Sequence, residues 1–133
     1  MTGNRKISGN KKRSAGNDPA GAERQDTNVV IIVGTVARDS VTSESNDGTV
    51  LTSFDVVCRT EDGRTVVPVT VESDCIVSTG QTVAVTGRVH KRFFASGGGL
   101  SSRTDVRADR VTVVKRRDQV RRVVSAVIAD LGS

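Results

Sequence analysis

From Asn28 to about residue 114, apolar and polar residues alternate along the chain, and turn-forming residues recur between the alternating stretches. Val, Ile and Thr are dense there, and β-branched residues in such an alternation are typical of strands. We predict five strands, over residues 29–36, 49–59, 64–72, 81–94 and 101–114. An all-β chain of this kind, with glycine at its bends, favours a small barrel that is closed or partly closed. A sandwich usually needs about seven strands.

Two residues within the predicted strands mark places where regular pairing should be interrupted. Pro68 has no N–H to donate to a ladder, so the third strand is expected to be an edge strand or bulged there. Gly34 in the first strand lies where a bulge or a sharp coil would fall. Loops are expected over residues 43–48 and at a flexible hairpin tip over residues 95–99, and the connection over residues 73–80 has room for one helical turn.

The apolar period changes near the C-terminus. Apolar residues recur there at intervals of three and four, which predicts one stripe of an amphipathic helix. The stripe consists of Val120, Val123, Val124, Val127, Ile128 and Leu131. Four arginines lie towards the N-terminal end of this helix, where the helix dipole favours anions; they belong either to a binding surface or to a solvated face. The stripe itself must be buried, against its own barrel or against a second subunit.

Residues 1–27 contain almost no large apolar side chains, so we predict a disordered basic tail that cannot offset its chain entropy by burial. The domain organisation is then a tail over 1–27, a barrel over 28–114 and a helical segment over 115–133. The formal net charge is +5, of which the tail and the helical segment carry +3 each and the barrel −1. A nucleic-acid partner therefore requires a local basic face within the barrel.

Several function classes find no support in the sequence. No apolar run resembles a signal peptide, and none approaches the roughly 20 residues of a membrane span, which predicts a soluble cytoplasmic protein with no membrane partner. Cys58 and Cys75 are expected to be two reduced thiols that are buried or half-buried. With a single histidine, no metal cluster and no nucleophile beside a base, we predict a protein that is not an enzyme and needs no cofactor.

The fourth strand has two contrasting faces, because side chains alternate along a strand. One parity reads as a core face and carries Val83, Val85, Gly87, Val89, Lys91 and Phe93. The other reads as an exposed, basic face that ends in an aromatic ring and carries Thr82, Ala84, Thr86, Arg88, His90, Arg92 and Phe94. In the fifth strand Arg103 and Arg107 share a parity, so pairing around the glycine tip would bring them near Arg88 and Arg92.

Guanidinium groups along one face of a hairpin can follow phosphates, and an exposed aromatic ring can stack a base at roughly 1–3 kcal/mol. His90 is better placed as a neighbour of phosphates than as a catalyst. The alternative is that these cations protect a strand edge from aggregation and that Asp105 and Asp109 neutralise them. The candidate nucleic-acid-binding residues are Arg59, Arg88, His90, Lys91, Arg92, Phe94, Arg103 and Arg107.

Three segments in this order resemble the bacterial single-stranded DNA-binding protein family. Residues 28–39, NVVIIVGTVARD, resemble the family's opening strand; residues 48–59, GTVLTSFDVVCR, resemble its second strand; and residues 80–89, GQTVAVTGRV, resemble its Gly-x-x-Val-x-Val-x-Gly strand. The resemblance implies an OB-fold and sequence-independent binding of single-stranded DNA. It also implies assembly into a homodimer or homotetramer and a role in DNA replication, recombination or repair.

The chain departs from this family in ways that bear on its function. Of the family's stacking aromatics only Phe94 is matched; Arg59-Thr60 and Thr65-Val66 occupy places where the family has Trp, and the chain has no Trp or Tyr. The family's acidic C-terminal tip, which recruits repair partners, is also absent, as in primosomal replication protein n, a similar OB-fold protein. The alternative function is therefore an OB-fold interaction or assembly module, with replication or repair proteins as partners and weak nucleic-acid binding.

Overall fold

A computed structural model describes residues 25–132 of the chain, so most of the predicted tail lies outside the described residues. Within this part the elements are β1 Val30–Val36, β2 Val41–Glu44, β3 Val50–Thr60, β4 Gly63–Val71, β5 Thr82–Ser96, β6 Gly99–Val113 and α1 Arg117–Leu131. The predicted five strands correspond to β1, β3, β4, β5 and β6. The C-terminal helix is also present where its period predicts it.

The five longer strands form a closed ring in the order β1-β3-β4-β6-β5 and back to β1. All neighbours are antiparallel except β4 and β6, which run parallel through Val69–Val71 and Val106–Ala108. β1 closes the barrel by pairing with β5 along most of its length and with β3 through Thr35 and Val36 only. The all-β barrel predicted from the alternation is therefore confirmed.

The sixth strand, β2, corrects the loop predicted over residues 43–48. It pairs with the first residues of β3, so Ser43 and Glu44 belong to a strand. The connection is a tight turn in which the Asp47 carboxylate accepts a hydrogen bond from the Thr49 N–H, 3.0 Å away. Hydrogen bonds from Ser45 and Thr49 to its carboxylate lower the pKa of Asp47 to about 2. Because the turn closes over few residues, the β-favouring residues before it reach β3.

The barrel core is built almost entirely of valine, as the alternation predicts. Residues of one parity on every strand of the ring point inward, and Phe54 is the only aromatic side chain in the described core. The fully buried valines are Val36, Val56, Val69, Val83 and Val85. Each such side chain contributes roughly 1.5–3 kcal/mol through burial. A small β-branched residue packs well on a pleated surface, which suits a barrel of narrow radius.

Glycine permits close approach at two places in the barrel wall. Of the bulge or sharp coil expected at Gly34, the bulge is absent, because Gly34 pairs regularly with Val83. A Cβ at Gly34 would lie 2.3 Å from the carbonyl oxygen of Val57 on β3. The bulge lies instead between β5 and β6, where Thr86 pairs with Arg110 and Gly87 with Ala108. Gly34 therefore serves the closure of the barrel, whereas Gly87 marks the point where the β5–β6 pairing shifts.

Two further expectations concern Pro68 on β4 and a helical turn in the connection that follows β4. Pairing of β4 with β6 begins at Val69, so at Pro68 the strand has β3 as its one neighbour, as its missing N–H predicts. The connection over 73–80 contains no helical turn. It is held by Asp39, whose carboxylate accepts a hydrogen bond from the Thr79 N–H at 2.8 Å, and this bond lowers the pKa of Asp39.

α1 begins with a capping interaction and ends on a partly uncovered apolar face. The Gln119 side chain accepts a hydrogen bond from the Arg116 N–H at 2.9 Å, and Arg122 pairs with Asp118 at 2.9 Å. None of the helix residues is buried, and Ile128 is 61% exposed, because α1 rests on the barrel only along one side. In residues 25–132 no helix combines the length and apolarity that a membrane span requires.

Asn28, just before β1, extends the β1–β5 pairing by one step through its side chain. Its amide nitrogen donates to the carbonyl oxygen of Val89 at 2.9 Å, and its amide oxygen accepts from the Val89 N–H at 2.9 Å. The last backbone pair of β1 and β5 joins Val30 and Gly87. Beyond Val89 the edge of β5 that faces β1 therefore has no neighbouring strand in the described structure.

Candidate nucleic-acid interface

Two hairpins project from the same end of the barrel. Because β4 and β6 are parallel neighbours, the turns that precede them lie at one end. The short hairpin joins β3 to β4 and the long hairpin joins β5 to β6, and towards their tips the two no longer pair. Between them lies a groove of about 240 Å³, whose lining includes Arg38, Asp39, Ser53, Asp55, Pro68, Thr70, Arg92, Arg103 and Asp105. We call this the inter-hairpin groove.

The register of the long hairpin brings most of the predicted residues onto one face. Arg88 lies opposite Arg107, His90 opposite Asp105, Arg92 opposite Arg103 and Phe94 opposite Ser101. Residues directly opposite each other in a ladder share a face, so this arrangement matches the proximity predicted from pairing around the glycine tip. The tip is a two-residue turn with positive φ at Gly97 (53°) and Gly98 (88°), as strand twist favours.

The two arginines nearest the barrel are ion-paired. Arg88 lies 3.4 Å from the Asp109 carboxylate, and Arg107 lies 3.4 Å from Glu72 and 3.7 Å from Asp105. The Arg107 side chain is only 14% exposed. Neutralisation by neighbouring carboxylates, the alternative raised by the sequence, therefore applies to this pair, and Arg107 is well placed to hold the base of the hairpin together.

The two arginines nearer the hairpin tip differ from Arg88 and Arg107 in having no ion pair within the described residues. Arg92 and Arg103 are both exposed, and neither has an ion-pair partner among residues 25–132. Both line the inter-hairpin groove. Phe94, 48% exposed, follows on the same face towards the tip. We call Arg92, Arg103 and Phe94 the outer basic site, because it combines two uncompensated charges with a ring that is free to stack.

A buried carboxylate fixes the centre of this face. The Asp105 side chain is 3% exposed and accepts a hydrogen bond from the Thr70 hydroxyl at 2.7 Å. Its other oxygen lies 3.3 Å from Nδ1 of His90, which is partly exposed. Buried polar groups are costly unless they are paired, and here one carboxylate serves a threonine, a histidine and an arginine. His90 is thus held against the sheet between the two arginine pairs.

The opposite face of the long hairpin corrects the core face predicted for β5. Val89 is exposed and Phe93 is 63% exposed, because β1 ends opposite Gly87 and no layer covers the hairpin beyond it. Lys91, a predicted binding residue, lies on this same face, with its ammonium nitrogen 5.5 Å from the centre of the Phe93 ring. Strand periodicity alone does not identify Phe93 as a surface residue. The length of β5 is the feature that indicates its exposure: its 15 residues exceed what a small barrel needs, so part of the strand must extend beyond the core.

The short hairpin brings a second pair of arginines to the groove end of the barrel. Arg59, a predicted residue, lies directly opposite Arg64 across the Thr60–Gly63 turn. Both are exposed and without an ion pair in the described part of the chain. They share the parity of Asp55 and Pro68, which line the groove. Arg64 is not among the residues predicted to bind, although the register of a two-residue turn places it beside Arg59.

The two cysteines pack against the core and remain thiols. Cys58 and Cys75 are half-buried and unpaired, and burial raises the pKa of both. Within residues 25–132 no group of three or more His, Cys, Asp or Glu side chains is arranged to hold a metal ion.

Comparison with known proteins bears on the fold. No protein-family model matches the sequence, and no curated protein matches it. A solved structure of the Plasmodium falciparum SSB in complex with ssDNA is similar, with a TM-score of 0.59 and 14% sequence identity over 70% of this chain and 99% of that chain. The chain has an OB fold. At this identity the likeness reaches the fold alone, so the predicted membership of the bacterial family is not established by it.

Proposed function

We propose that this OB-fold protein binds single-stranded DNA without strict sequence preference and acts in DNA replication, recombination or repair. The observation that carries the proposal is the outer basic site, where Arg92 and Arg103 lie unpaired beside exposed Phe94 on the rim of a groove. The similar Plasmodium protein, whose structure was solved with ssDNA, supports the same class of ligand.

The geometry suggests how a strand would be held. Phosphates lie against Arg92 and Arg103 on the long hairpin and against Arg59 and Arg64 on the short one, while an unpaired base stacks on Phe94. Phosphate contacts of this kind are insensitive to sequence and weaken as salt rises. Stacking on a side chain requires a base that is not already stacked in a duplex. The protein should therefore discriminate by strandedness.

A fluorescence titration with labelled oligo-dT at two salt concentrations tests this function, with duplex DNA and RNA of equal length as comparisons. We expect oligo-dT to bind at least tenfold more tightly than duplex, with an affinity that falls as salt rises, because few aromatic rings supplement the phosphate contacts. Equal affinity for the duplex, or no binding of oligo-dT at low salt, would contradict the proposal. The affinity for RNA of equal length shows whether binding depends on the sugar.

A second function, assembly into a homodimer or homotetramer, is favoured by α1. Its apolar stripe is partly covered by the barrel, but Ile128 and Leu131 remain exposed. A contiguous apolar surface of this kind is typical of an interface between proteins. A second copy of the chain is the simplest occupant of that face, and it would also complete the burial that the helical pattern requires.

We expect Ile128→Glu with Leu131→Glu to convert the assembly to monomer, because the new carboxylates would have to be buried unpaired. Molar mass from light scattering measures the change. The matched control is Ser125→Glu with Ala129→Glu, which adds the same charge on the polar side of the helix, away from the centre of the apolar stripe, and should leave the mass unaltered. A monomeric unaltered protein, or an equal loss of mass in both variants, would exclude assembly through this face.

A further inference from the structure

One carboxylate in the inter-hairpin groove has no partner. Asp55 extends from the outer face of β3, is half-buried and lies opposite Pro68 in the β3–β4 ladder. The other two groove carboxylates are engaged, Asp39 with Thr79 and Asp105 with Thr70. The Asp55 side chain forms neither a hydrogen bond nor an ion pair with any residue in the described range 25–132. A half-buried acceptor in a groove bordered by arginines is thus free for a ligand.

The charges around Asp55 orient a bound strand. Arg92 and Arg103 on one wall attract phosphate, whereas a carboxylate repels it. A strand that passes through the groove therefore keeps its phosphates at the arginines and turns a base towards Asp55. The Pro68 ring beside Asp55 offers an apolar surface against which a flat base can lie.

A carboxylate only accepts hydrogen bonds, so it selects among bases by what their edges donate. Cytosine presents its N4 amino group, and carboxylate side chains are a recurrent partner of this group. Thymine presents a single N–H between two carbonyl oxygens, and these oxygens are repelled by a carboxylate. The two bases have nearly the same size, so the groove would separate them by chemistry rather than by shape.

We propose that Asp55 gives the inter-hairpin groove a preference for a base that carries an exocyclic amino group, with cytosine favoured over thymine. This inference rests on the proposed single-stranded DNA function and deepens it. The preference acts at one base, in addition to contacts with phosphates and to stacking that tolerate any sequence. A net hydrogen bond of ordinary strength corresponds to a ratio of about threefold to tenfold in favour of oligo-dC over oligo-dT.

The test compares the affinities of oligo-dC and oligo-dT of equal length, at the same salt and at mildly alkaline pH, for the unaltered protein and for Asp55→Asn. Asparagine keeps the shape but carries both a donor and an acceptor, so the ratio should fall from about threefold or more to about one. Asp109→Asn is the matched control: it removes one exposed carboxylate beside Arg88 and outside the groove, and it should leave the ratio unchanged.

Three outcomes would overturn the inference: equal affinities for the two oligonucleotides in the unaltered protein, a ratio that persists in Asp55→Asn, or a gain in affinity for Asp55→Asn that is the same for both. The last would mean that Asp55 merely repels phosphate. Binding of both oligonucleotides without a preference would leave the proposed function standing and remove only the role of Asp55. Failure to bind either would remove both. A thermal melt of Asp55→Asn verifies that the fold is retained.

Discussion

Replacing Arg92 and Arg103 together with alanine should lower the affinity for oligo-dT by about 100-fold at low salt. Each charged hydrogen bond to phosphate contributes about 1.5 kcal/mol or more, and neither side chain has a competing carboxylate partner in residues 25–132. With two fewer phosphates neutralised, the slope of log affinity against log salt should become shallower by about 1.4. Titration of labelled oligo-dT at several salt concentrations gives both quantities.

The matched control is Arg88→Ala with Arg116→Ala, which removes the same charge from arginines that are already paired with Asp109 and Asp118. We expect this variant to lose less than about fivefold in affinity, through the weaker long-range field alone. Equal losses in the two double variants would show that net charge governs binding. The outer basic site would then have no special role.

Gly87→Ala should lower the free energy of unfolding by about 3 kcal/mol or more. A Cβ at this position would lie 2.0 Å from the carbonyl oxygen of Arg107 and 2.8 Å from the Cα of Ala108. Both are backbone atoms of the adjacent strand, so relief requires β6 to move and the ladder to open at the bulge. Chemical denaturation measures the loss, and the same variant should bind oligo-dT more weakly because the long hairpin loses its register.

Gly99→Ala provides the comparison at the other end of the same hairpin. A Cβ there would meet nothing nearer than the carbonyl oxygen of Ser96 at 3.9 Å, and Gly99 does not have a positive φ. Its stability should stay within about 0.5 kcal/mol of the unaltered protein or rise slightly. If Gly87→Ala lowered the free energy of unfolding by as little as Gly99→Ala, that result would contradict the close approach of β5 and β6 at the bulge.

The sequence predicts the barrel well because strand alternation is a local property. It predicts less well where a strand loses its neighbour, which depends on residues far away in the chain. Phe93 has the same parity as buried Val83 and Val85, and periodicity alone assigns all three to the core. The difference is that β1 pairs with β5 only as far as Gly87, so the same face is core before that point and surface after it.

In the candidate site, too, local features can be predicted from the sequence and contacts between distant residues cannot. The opposition of Arg92 to Arg103 follows from the glycine turn and the count of residues on either side, so it is predictable. The partner of Arg107 is not, because Glu72 is 35 residues away and reaches it only through the parallel pairing of β4 and β6. Sequence therefore identifies which cations share a face. It does not show which of them are already neutralised.

The Asn28 side chain, clamped to the backbone of Val89, marks a boundary within the β5–β6 hairpin. On the barrel side of this clamp, β5 and β6 are held by β1, β4 and a valine core. On the far side, from Lys91 to Thr104, no residue is buried and the hairpin is held by its own ladder. Opening of that outer segment exposes no core surface. The free energy of this local opening is therefore lower than the free energy of global unfolding. The residues proposed to contact single-stranded DNA can thus rearrange around it while the barrel stays intact.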